Sequence, residues 1–397
     1  MIETTLVVKK EFTNKYKNGY PLILKEAVES TKDLKKEGQI VKLIDKKNVF
    51  LGRGYYGNQN KGCGWVLSNS SKSSLDYKFF YDKLRNALSK RKEFYYSKDT
   101  TAFRVFNGEG DGIGGLTIDY FDGFYLLTWY SLGIYAFKDN IIKAIKALVP
   151  FHGMYEKKRF DENGMVLDED SYLTGRKAPE PLIVKENNVK FAIYLNDGAM
   201  VGVFLDQKEV RNSIKNKYSN NKSVLNTFSY TGAFSMFAAK GGATTTSIDL
   251  AKRSLDKTTE NFNINDIDPN KHSIIVEDLF VYFKYAKKNN IKYDVVILDP
   301  PSFATSSESS FSAARDYKDL VKKTIEITSD EGVIVASTNC STFNMIKFKK
   351  FIDEAFIESK KLYEIVEEYQ LPKDFAVTDK FPEGNYLKVL FIKIISK

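Results

Sequence analysis

The residues best suited to chemistry follow a short apolar run at positions 295–298. Asp299 comes directly after this run, and Pro300 and Pro301 then make a stiff turn, because proline fixes the backbone and has no amide donor. Phe303 adds an aromatic face on which a base could stack. We interpret this pattern as a carboxylate held in a fixed direction beside a flat ligand, and favour this over a purely structural turn.

Cys340 follows the next apolar run along the chain, at positions 332–337. A thiolate is the soft nucleophile that can add to a pyrimidine ring and activate the neighbouring carbon. The ordinary alternative is a small buried residue, which is the usual environment of a free cysteine. Position alone leaves the two interpretations open.

A small turn at residues 226–234 separates an apolar run from a helical pattern and contains Gly232. A glycine between a strand and a helix lets a ligand approach the backbone closely. The motif G-x-G-x-x-G is absent from this turn, which disfavours a dinucleotide. Taken alone, the turn could equally be an ordinary connection.

Two acidic residues follow the next two predicted strands. Asp249 lies about 20 residues after the turn, where a carboxylate suits the hydroxyls of a ribose. Asp278, next to Glu277, could accept a hydrogen bond from an adenine amino group. Each acid alone could be a helix N-cap, but features after successive strands favour a nucleoside site.

The elements that must position these residues alternate regularly from about residue 187 onward. Strands are predicted at 223–228, 245–249, 273–277, 294–298, 332–337, 362–370 and 386–395, and helices at 233–240, 252–261, 314–328 and 345–358. This alternation predicts a parallel α/β sheet with helices on both faces, whose ligands bind at the carboxyl ends of the strands.

The N-terminal half has a different pattern. Residues 1–72 predict a small β-rich domain that ends in a polar linker at 68–74. Residues 75–186 predict a mixed domain with a helix, a two-stranded hairpin about Asp122-Gly123, and a second helix at 136–148. We therefore predict three domains, 1–72, 75–186 and 187–397.

Composition restricts the class of protein. The chain has 397 residues, of which 43% are hydrophobic and 28% charged, and no apolar run is long enough to cross a bilayer. We therefore expect a cytoplasmic location. Two cysteines and two histidines predict neither disulfides nor a metal site. A net charge of +9 favours an anionic partner such as nucleic acid, although a lysine-rich composition explains it equally well.

Together these motifs resemble class I S-adenosylmethionine-dependent methyltransferases. They are more closely similar to a bacterial family that methylates cytosine in 23S ribosomal RNA and carries an N-terminal PUA domain. Residues 103–116 and 202–207 also carry this resemblance, which spans nearly the whole chain. It implies a PUA domain at 1–72, a central α/β domain at 75–186 and a Rossmann-like methyltransferase domain at 187–397. The last domain would hold a seven-stranded sheet with an antiparallel final strand.

The resemblance also implies roles for individual residues. Asp249 would hold the ribose of S-adenosylmethionine and Asp278 its adenine. Asp299 would contribute to the cofactor site and bind the polar edge of a cytosine flipped out of its stack, and Cys340 would attack carbon-6. The remaining implied site residues are Phe228, Ser229, Tyr230, Thr231, Gly232, Phe204, Asp206 and Arg211 for the cofactor, and Pro300, Pro301 and Phe303 for the substrate. The expected partner is 23S ribosomal RNA, without metal or membrane, and a homodimer is left open.

The chain departs from the family pattern at two places. Many cytosine methyltransferases have a second cysteine where this chain has Ser302, so the base that removes the carbon-5 proton is unassigned. The segment 374–377 lacks the proline found in some relatives. Two alternatives stay open: a related branch that methylates guanine and lacks the cysteine, and a catalytically silent RNA-binding factor in ribosome assembly.

Overall fold

The computed structural model describes residues 3–58, 62–160, 171–198, 200–305 and 310–396. The chain divides into two compact units, and each is discontinuous in sequence. The first unit comprises Met1–Leu182, Tyr194–Val201 and Lys373–Gly384, and the second comprises Ile183–Ile193, Gly202–Pro372 and Asn385–Lys397. The division into three domains, at 1–72, 75–186 and 187–397, stays a prediction.

The first unit holds two five-stranded sheets, ordered β1-β3-β4-β5-β2 and β10-β9-β8-β7-β6. Its strands are β1 (Glu3–Val7), β2 (Leu22–Leu24), β3 (Ile40–Ile44), β4 (Phe50–Tyr56), β5 (Gly62–Ser68), β6 (Ala102–Asn107), β7 (Leu116–Phe121), β8 (Phe124–Trp129), β9 (Gly153–Lys158) and β10 (Tyr172–Gly175). Its helices are α1 (Thr13–Lys17), α2 (Tyr77–Lys90), α3 (Leu132–Tyr135) and α4 (Lys138–Leu148).

The predicted hairpin about Asp122-Gly123 joins β7 to β8. Both turn residues have positive φ, 46° and 91°, as a tight two-residue hairpin turn requires. The sequence did not predict that this hairpin belongs to a five-stranded sheet. β9 pairs parallel to β8 only after the chain returns through α3 and α4, so the pairing is not local.

A segment from near the C-terminus completes the first unit. Buried Arg91 pairs with both oxygens of Asp111 at 2.7 Å and donates to the Asp374 carbonyl at 3.0 and 2.7 Å. The Arg104 amide donates to a carboxylate oxygen of Asp374 at 2.8 Å, and the Asn107 side chain donates to the Ala376 carbonyl at 2.8 Å. Residues 103–116 therefore bind the segment 373–384, an interaction that the sequence did not predict.

The second unit holds a seven-stranded sheet, a two-stranded ribbon (β11-β12) and a small hairpin (β17-β18). Its strands are β11 (Leu182–Glu186), β12 (Val189–Ile193), β13 (Ser223–Thr227), β14 (Thr244–Asp249), β15 (Ser273–Val276), β16 (Tyr293–Leu298), β17 (Phe303–Thr305), β18 (Ser310–Ser312), β19 (Thr328–Thr338), β20 (Leu362–Tyr369) and β21 (Lys388–Ile395). Its helices are α5 (Lys208–Ser213), α6 (Ala233–Lys240), α7 (Arg253–Ile264), α8 (Leu279–Lys288), α9 (Ala313–Ile327) and α10 (Met345–Glu358).

The seven strands lie in the order β15-β14-β13-β16-β19-β21-β20. Neighbours from β15 to β19 pair in parallel, whereas β21 is antiparallel to both β19 and β20. The antiparallel final strand is the arrangement that the resemblance implied. The predicted helices 233–240 and 345–358 have the bounds of α6 and α10. Helix α8 was not among the predicted helices.

Both faces of this sheet are covered by apolar side chains. One cluster contains Leu225, Val296 and Ile334 with residues of α8, α9 and α10, and the other contains Val224, Val295 and residues of α6. Strands buried on both faces read as continuous apolar runs, which is why the sequence revealed them. None of the helices described is both long and apolar enough to span a membrane.

Candidate active site

The candidate site lies at the carboxyl edge of the parallel strands. Thr227 pairs with Ile248 on one side and Leu298 on the other, so the residues that follow these strands emerge together. The order of strands changes direction between β13 and β16, and ligands bind at such a switch in open α/β sheets.

The turn after β13 has an unusual backbone. Phe228 and Tyr230 have φ of 53° and 52°, and Gly232 has φ of 75°. Positive φ is strained for large side chains and is maintained only where neighbours hold it. Here the Tyr230 amide donates to Asp249 at 2.8 Å, and the Thr231 hydroxyl donates to the Gly202 carbonyl at 2.7 Å.

The same turn has polar groups available for a ligand. The buried Ser229 hydroxyl has no hydrogen-bond partner among the residues described. The two carboxylate oxygens of Asp249 accept from the amides of Tyr230 and Ala251, at 2.8 and 2.9 Å. Each oxygen can accept a further bond, so the turn and Asp249 fit a ligand that carries both hydroxyl and charged groups.

Asp278 has the geometry of a helix N-cap. One of its carboxylate oxygens accepts from the amides of Phe280 and Val281, at 2.8 and 3.3 Å, at the start of α8. That oxygen therefore caps the helix, as one of the two interpretations predicted. The second carboxylate oxygen makes no hydrogen bond within the described ranges. Its predicted contact with adenine stays a prediction.

Arg211 is buried in an ion pair that the sequence did not predict. Its guanidinium binds both oxygens of Glu186, at 2.8 and 2.7 Å, and donates to the Phe204 carbonyl at 2.7 Å. Phe204 is 40% exposed, with its ring 5.6 Å from that of Tyr230. Phe204 therefore lies beside the turn, and the Arg211 side chain holds the Phe204 backbone in place.

Asp299 is a partly buried carboxyl in a polar network. Gln207 donates to it at 3.1 Å and to the Ser337 hydroxyl at 2.7 Å. Burial, together with the nearby charge of Asp206, raises the pKa of Asp299 to about 6, against the opposing effects of the bonds from Ser337 and Gln207 and of the charge of Arg211. A carboxyl with such a pKa can hold or release a proton near neutral pH.

Three residues of this network were not among the predicted site residues: Gln207, Ser337 and Tyr386. Gln207 follows Asp206 directly, and this position in the motif 202–207 was the available signal. The Tyr386 hydroxyl donates to Asp206 at 2.8 Å, and no local sequence pattern links residues so far apart.

The loop after Asp299 is joined to the loop that carries Cys340. The Ser302 hydroxyl donates to the Asn339 side chain at 2.6 Å, and the Ser302 carbonyl accepts from the Ala313 amide at 3.0 Å. Phe303 is 65% exposed at the start of β17, so its ring is accessible. Pro300 is buried and Pro301 is exposed.

Cys340 lies just beyond β19. Its amide donates to the Thr338 hydroxyl at 3.2 Å, and its sulfur is 3.1 Å from the Thr342 hydroxyl. The residue is 6% exposed and packs in the apolar cluster with Phe343. The structure therefore brings Cys340 to the same edge as Asp299 in a largely enclosed position.

Comparison with known proteins identifies the family to which a chain with this fold belongs. Residues 168–392 match the S-adenosylmethionine-dependent methyltransferase family, and residues 6–69 match the PUA-like domain. The chain belongs to this methyltransferase family, and S-adenosylmethionine is its cofactor. The predicted fold class, with its PUA-like and class I methyltransferase domains, is thereby confirmed.

The particular relatives cover almost the full length of the chain. YwbD of Bacillus subtilis (strain 168), whose name places it among the ribosomal RNA large subunit methyltransferases, is 52% identical over 98% of this chain and 99% of its own. Ribosomal RNA large subunit methyltransferase I of Pseudoalteromonas atlantica is 30% identical over 95% of each chain. A crystal structure described as a methyltransferase complexed with SAH has a TM-score of 0.90 and 41% identity, and covers 99% of this chain and 100% of its own.

Proposed function

We propose that this protein methylates carbon-5 of a cytosine in 23S ribosomal RNA through a covalent adduct with Cys340. The named relatives support ribosomal RNA of the large subunit as the substrate. The net charge of +9 suits an RNA partner, because lysine and arginine release counterions from phosphates. The observation that carries the cytosine assignment is a cysteine next to the strand end that bears Asp299.

The residues after β13 and β14 would hold the cofactor. The Asp249 carboxylate would accept from the ribose hydroxyls, and the turn 228–232 with the free Ser229 hydroxyl would bind the methionine end. Asp278 would bind the adenine through the oxygen that does not cap α8. Phe204 would cover the site, and Arg211 would act through the Phe204 carbonyl. When bound, S-adenosylmethionine supplies an electrophilic methyl group.

Asp299 would recognise the target base. As a carboxylate it can accept from the exocyclic amino group of cytosine, and as a neutral acid it can donate to the adjacent ring nitrogen. Its pKa of about 6 makes both states accessible near neutral pH. The exposed ring of Phe303 offers a stacking surface that would offset part of the free energy needed to flip the base.

Cys340 would supply the nucleophile. Its thiolate forms a bond to carbon-6, and the electron pair of the carbon-5–carbon-6 double bond moves toward the ring nitrogen, where a proton from Asp299 can neutralise it. Carbon-5 thereby becomes nucleophilic. After methyl transfer the carbon-5 proton passes to water, the carbon-5–carbon-6 double bond re-forms, the thiolate leaves carbon-6, and the proton on the ring nitrogen returns to Asp299.

The test is Cys340→Ala, with Cys63→Ala as the matched control. Cys63 is also buried but lies in β5 of the first unit. We expect Cys340→Ala to lower the methylation rate by about 100-fold or more and to leave S-adenosylmethionine affinity unchanged, because the cysteine acts only on the base. The assays are transfer of labelled methyl to 23S RNA and calorimetry.

Full methylation by Cys340→Ala would contradict the covalent mechanism. Mass spectrometry of ribosomal RNA from a deletion strain identifies the modified base, and a missing methylguanine would assign the chain to the guanine branch instead. No S-adenosylmethionine binding by the wild-type protein would indicate a silent assembly factor.

A further inference from the structure

Lys388 is a buried lysine whose ammonium group has few partners. The residue is 3% exposed, at the start of β21. Its Nζ donates to the Tyr386 carbonyl at 2.5 Å, which is its one hydrogen bond within the described ranges. No described carboxylate lies within ion-pair distance of it. An ammonium has three donors, and burying it without a counter-charge is unfavourable because it loses its solvation by water.

Lys388 lies near residues that adjoin Cys340 in sequence. Lys388 pairs with Thr338 in the antiparallel register of β19 and β21, and the Thr338 hydroxyl accepts from the Cys340 amide at 3.2 Å. On the other side, the Lys388 Nζ lies 5.4 Å from the ring centroid of Phe343, three residues after Cys340. Lys388 is therefore next to residues that precede and follow the cysteine in sequence: Thr338 across the strand pair and Phe343 beneath the ammonium.

The electrostatics agree with this placement. Burial lowers the pKa of Lys388, and the negative charge of a Cys340 thiolate is the interaction that opposes the lowering. The other charged groups near this strand edge have partners of their own. Asp299 binds Gln207, Asp206 binds Tyr386, and Arg211 binds Glu186.

We propose that Lys388 is a positioning residue that holds Cys340 in its thiolate form, ready to add to the base. This inference rests on the proposed function, because a thiolate at Cys340 is needed only for covalent catalysis. The lysine would stabilise the negative charge on the sulfur. The sulfur would in turn supply the counter-charge that the lysine lacks.

The test measures thiol reactivity in the full-length protein with Cys63→Ser, so that Cys340 is the single thiol. Iodoacetamide alkylates the thiolate, and the ratio of the rate at pH 7 to that at pH 10 reports the thiolate fraction independently of access. In Lys388→Met, which keeps length and removes charge, we expect this ratio to fall at least ten-fold. In Lys388→Arg, which keeps the charge, we expect it to change less than three-fold.

Methylation should follow the same order. We expect kcat to fall at least ten-fold in Lys388→Met, with KM for S-adenosylmethionine unchanged, and to recover in Lys388→Arg. An unchanged alkylation ratio in Lys388→Met, or equal losses in both variants, would overturn the inference. If Lys388→Met fails to fold, a reduced ratio in Lys388→Arg would overturn it.

These outcomes are distinct from failure of the proposed function. If Cys340→Ala abolishes methylation while Lys388→Met leaves the alkylation ratio unchanged, only the role of Lys388 is lost. If Cys340→Ala methylates normally, the covalent mechanism is lost whatever Lys388 does.

Discussion

Asp299 illustrates how burial changes the chemistry of one side chain. A carboxyl in water is ionised at neutral pH, but Asp299 is enclosed between Gln207 and Ser337, and its pKa rises to about 6. Its ionised form lacks solvation that water would give, and the hydrogen bonds compensate only in part. The raised pKa, which suits Asp299 to binding the edge of a cytosine, therefore comes with a lower stability of the folded protein at neutral pH.

We expect Asp299→Asn to stabilise the protein by about 2 kcal/mol at pH 8, because the variant removes a poorly solvated charge and keeps the oxygen that accepts from Gln207. A carboxyl whose pKa is higher in the folded than in the unfolded chain stabilises the fold fully below the unfolded value, near 3.8. That contribution is lost as the pH rises through about 6.

The gain from Asp299→Asn should thus shrink as the pH falls from 8 and vanish near pH 4. Thermal unfolding of both proteins across this range checks the prediction. A stability difference that does not vary with pH would show that Asp299 does not titrate in the folded protein.

At the scale of elements, the turn between β13 and α6 determines whether the cofactor site forms. Gly232 has φ of 75°, and a Cβ built on it would lie 2.5 Å from the Thr258 side chain on α7. Both the backbone conformation and the packing of the turn therefore require glycine.

Gly232→Ala should weaken S-adenosylmethionine binding at least ten-fold and lower stability by about 2 kcal/mol, because the turn must shift to accept the methyl group. Gly242→Ala is a matched control at the other end of α6. It has φ of 95°, but its nearest neighbour to a new Cβ is 3.6 Å away. We expect it to lower stability by about 1 kcal/mol and leave affinity unchanged. Equal affinities for both variants, measured by calorimetry, would contradict the assignment of the turn.

At the scale of the whole molecule, neither unit is formed from one continuous stretch of chain. The segment 373–384 belongs to the first unit although the sheet strands before and after it belong to the second. Phe381 packs its ring 5.6 Å from Trp65, and Arg104 lies 4.4 Å over the Phe375 ring. The first unit therefore needs the C-terminal part of the chain to complete its core.

Gly110 tests this arrangement, since a Cβ there would lie 1.9 Å from the Ala376 carbonyl oxygen. We expect Gly110→Ala to lower stability by about 3 kcal/mol and to make the chain susceptible to trypsin after Lys373 and Lys380. Gly108→Ala is the control, because its new Cβ would lie 3.8 Å from the nearest atom. We expect this variant to lower stability by about 1 kcal/mol and to leave cleavage by trypsin unchanged. Similar digestion patterns for the two variants would count against a bound segment.

Features that depend on neighbouring residues could be predicted from the amino-acid sequence. The strands covered on both faces had apolar sequences, and the turn before α6 contained a glycine. Asp299 came directly after β16, and Cys340 came two residues after the end of β19. Parallel strands end at a common edge, so this local information sufficed to predict one site on a parallel α/β sheet, whereas the class I methyltransferase fold was implied by the resemblance of the motifs to that family.

The partners of those residues became known from the folded structure. The pairing of Lys388 with Thr338, the ion pair of Arg211 with Glu186, and the binding of Asp374 by Arg91 join residues far apart in sequence. Such contacts depend on strand register and on which element returns to which edge, and neither periodicity nor spacing encodes them locally. The environment that sets the charge on Asp299 is therefore a property of the folded chain.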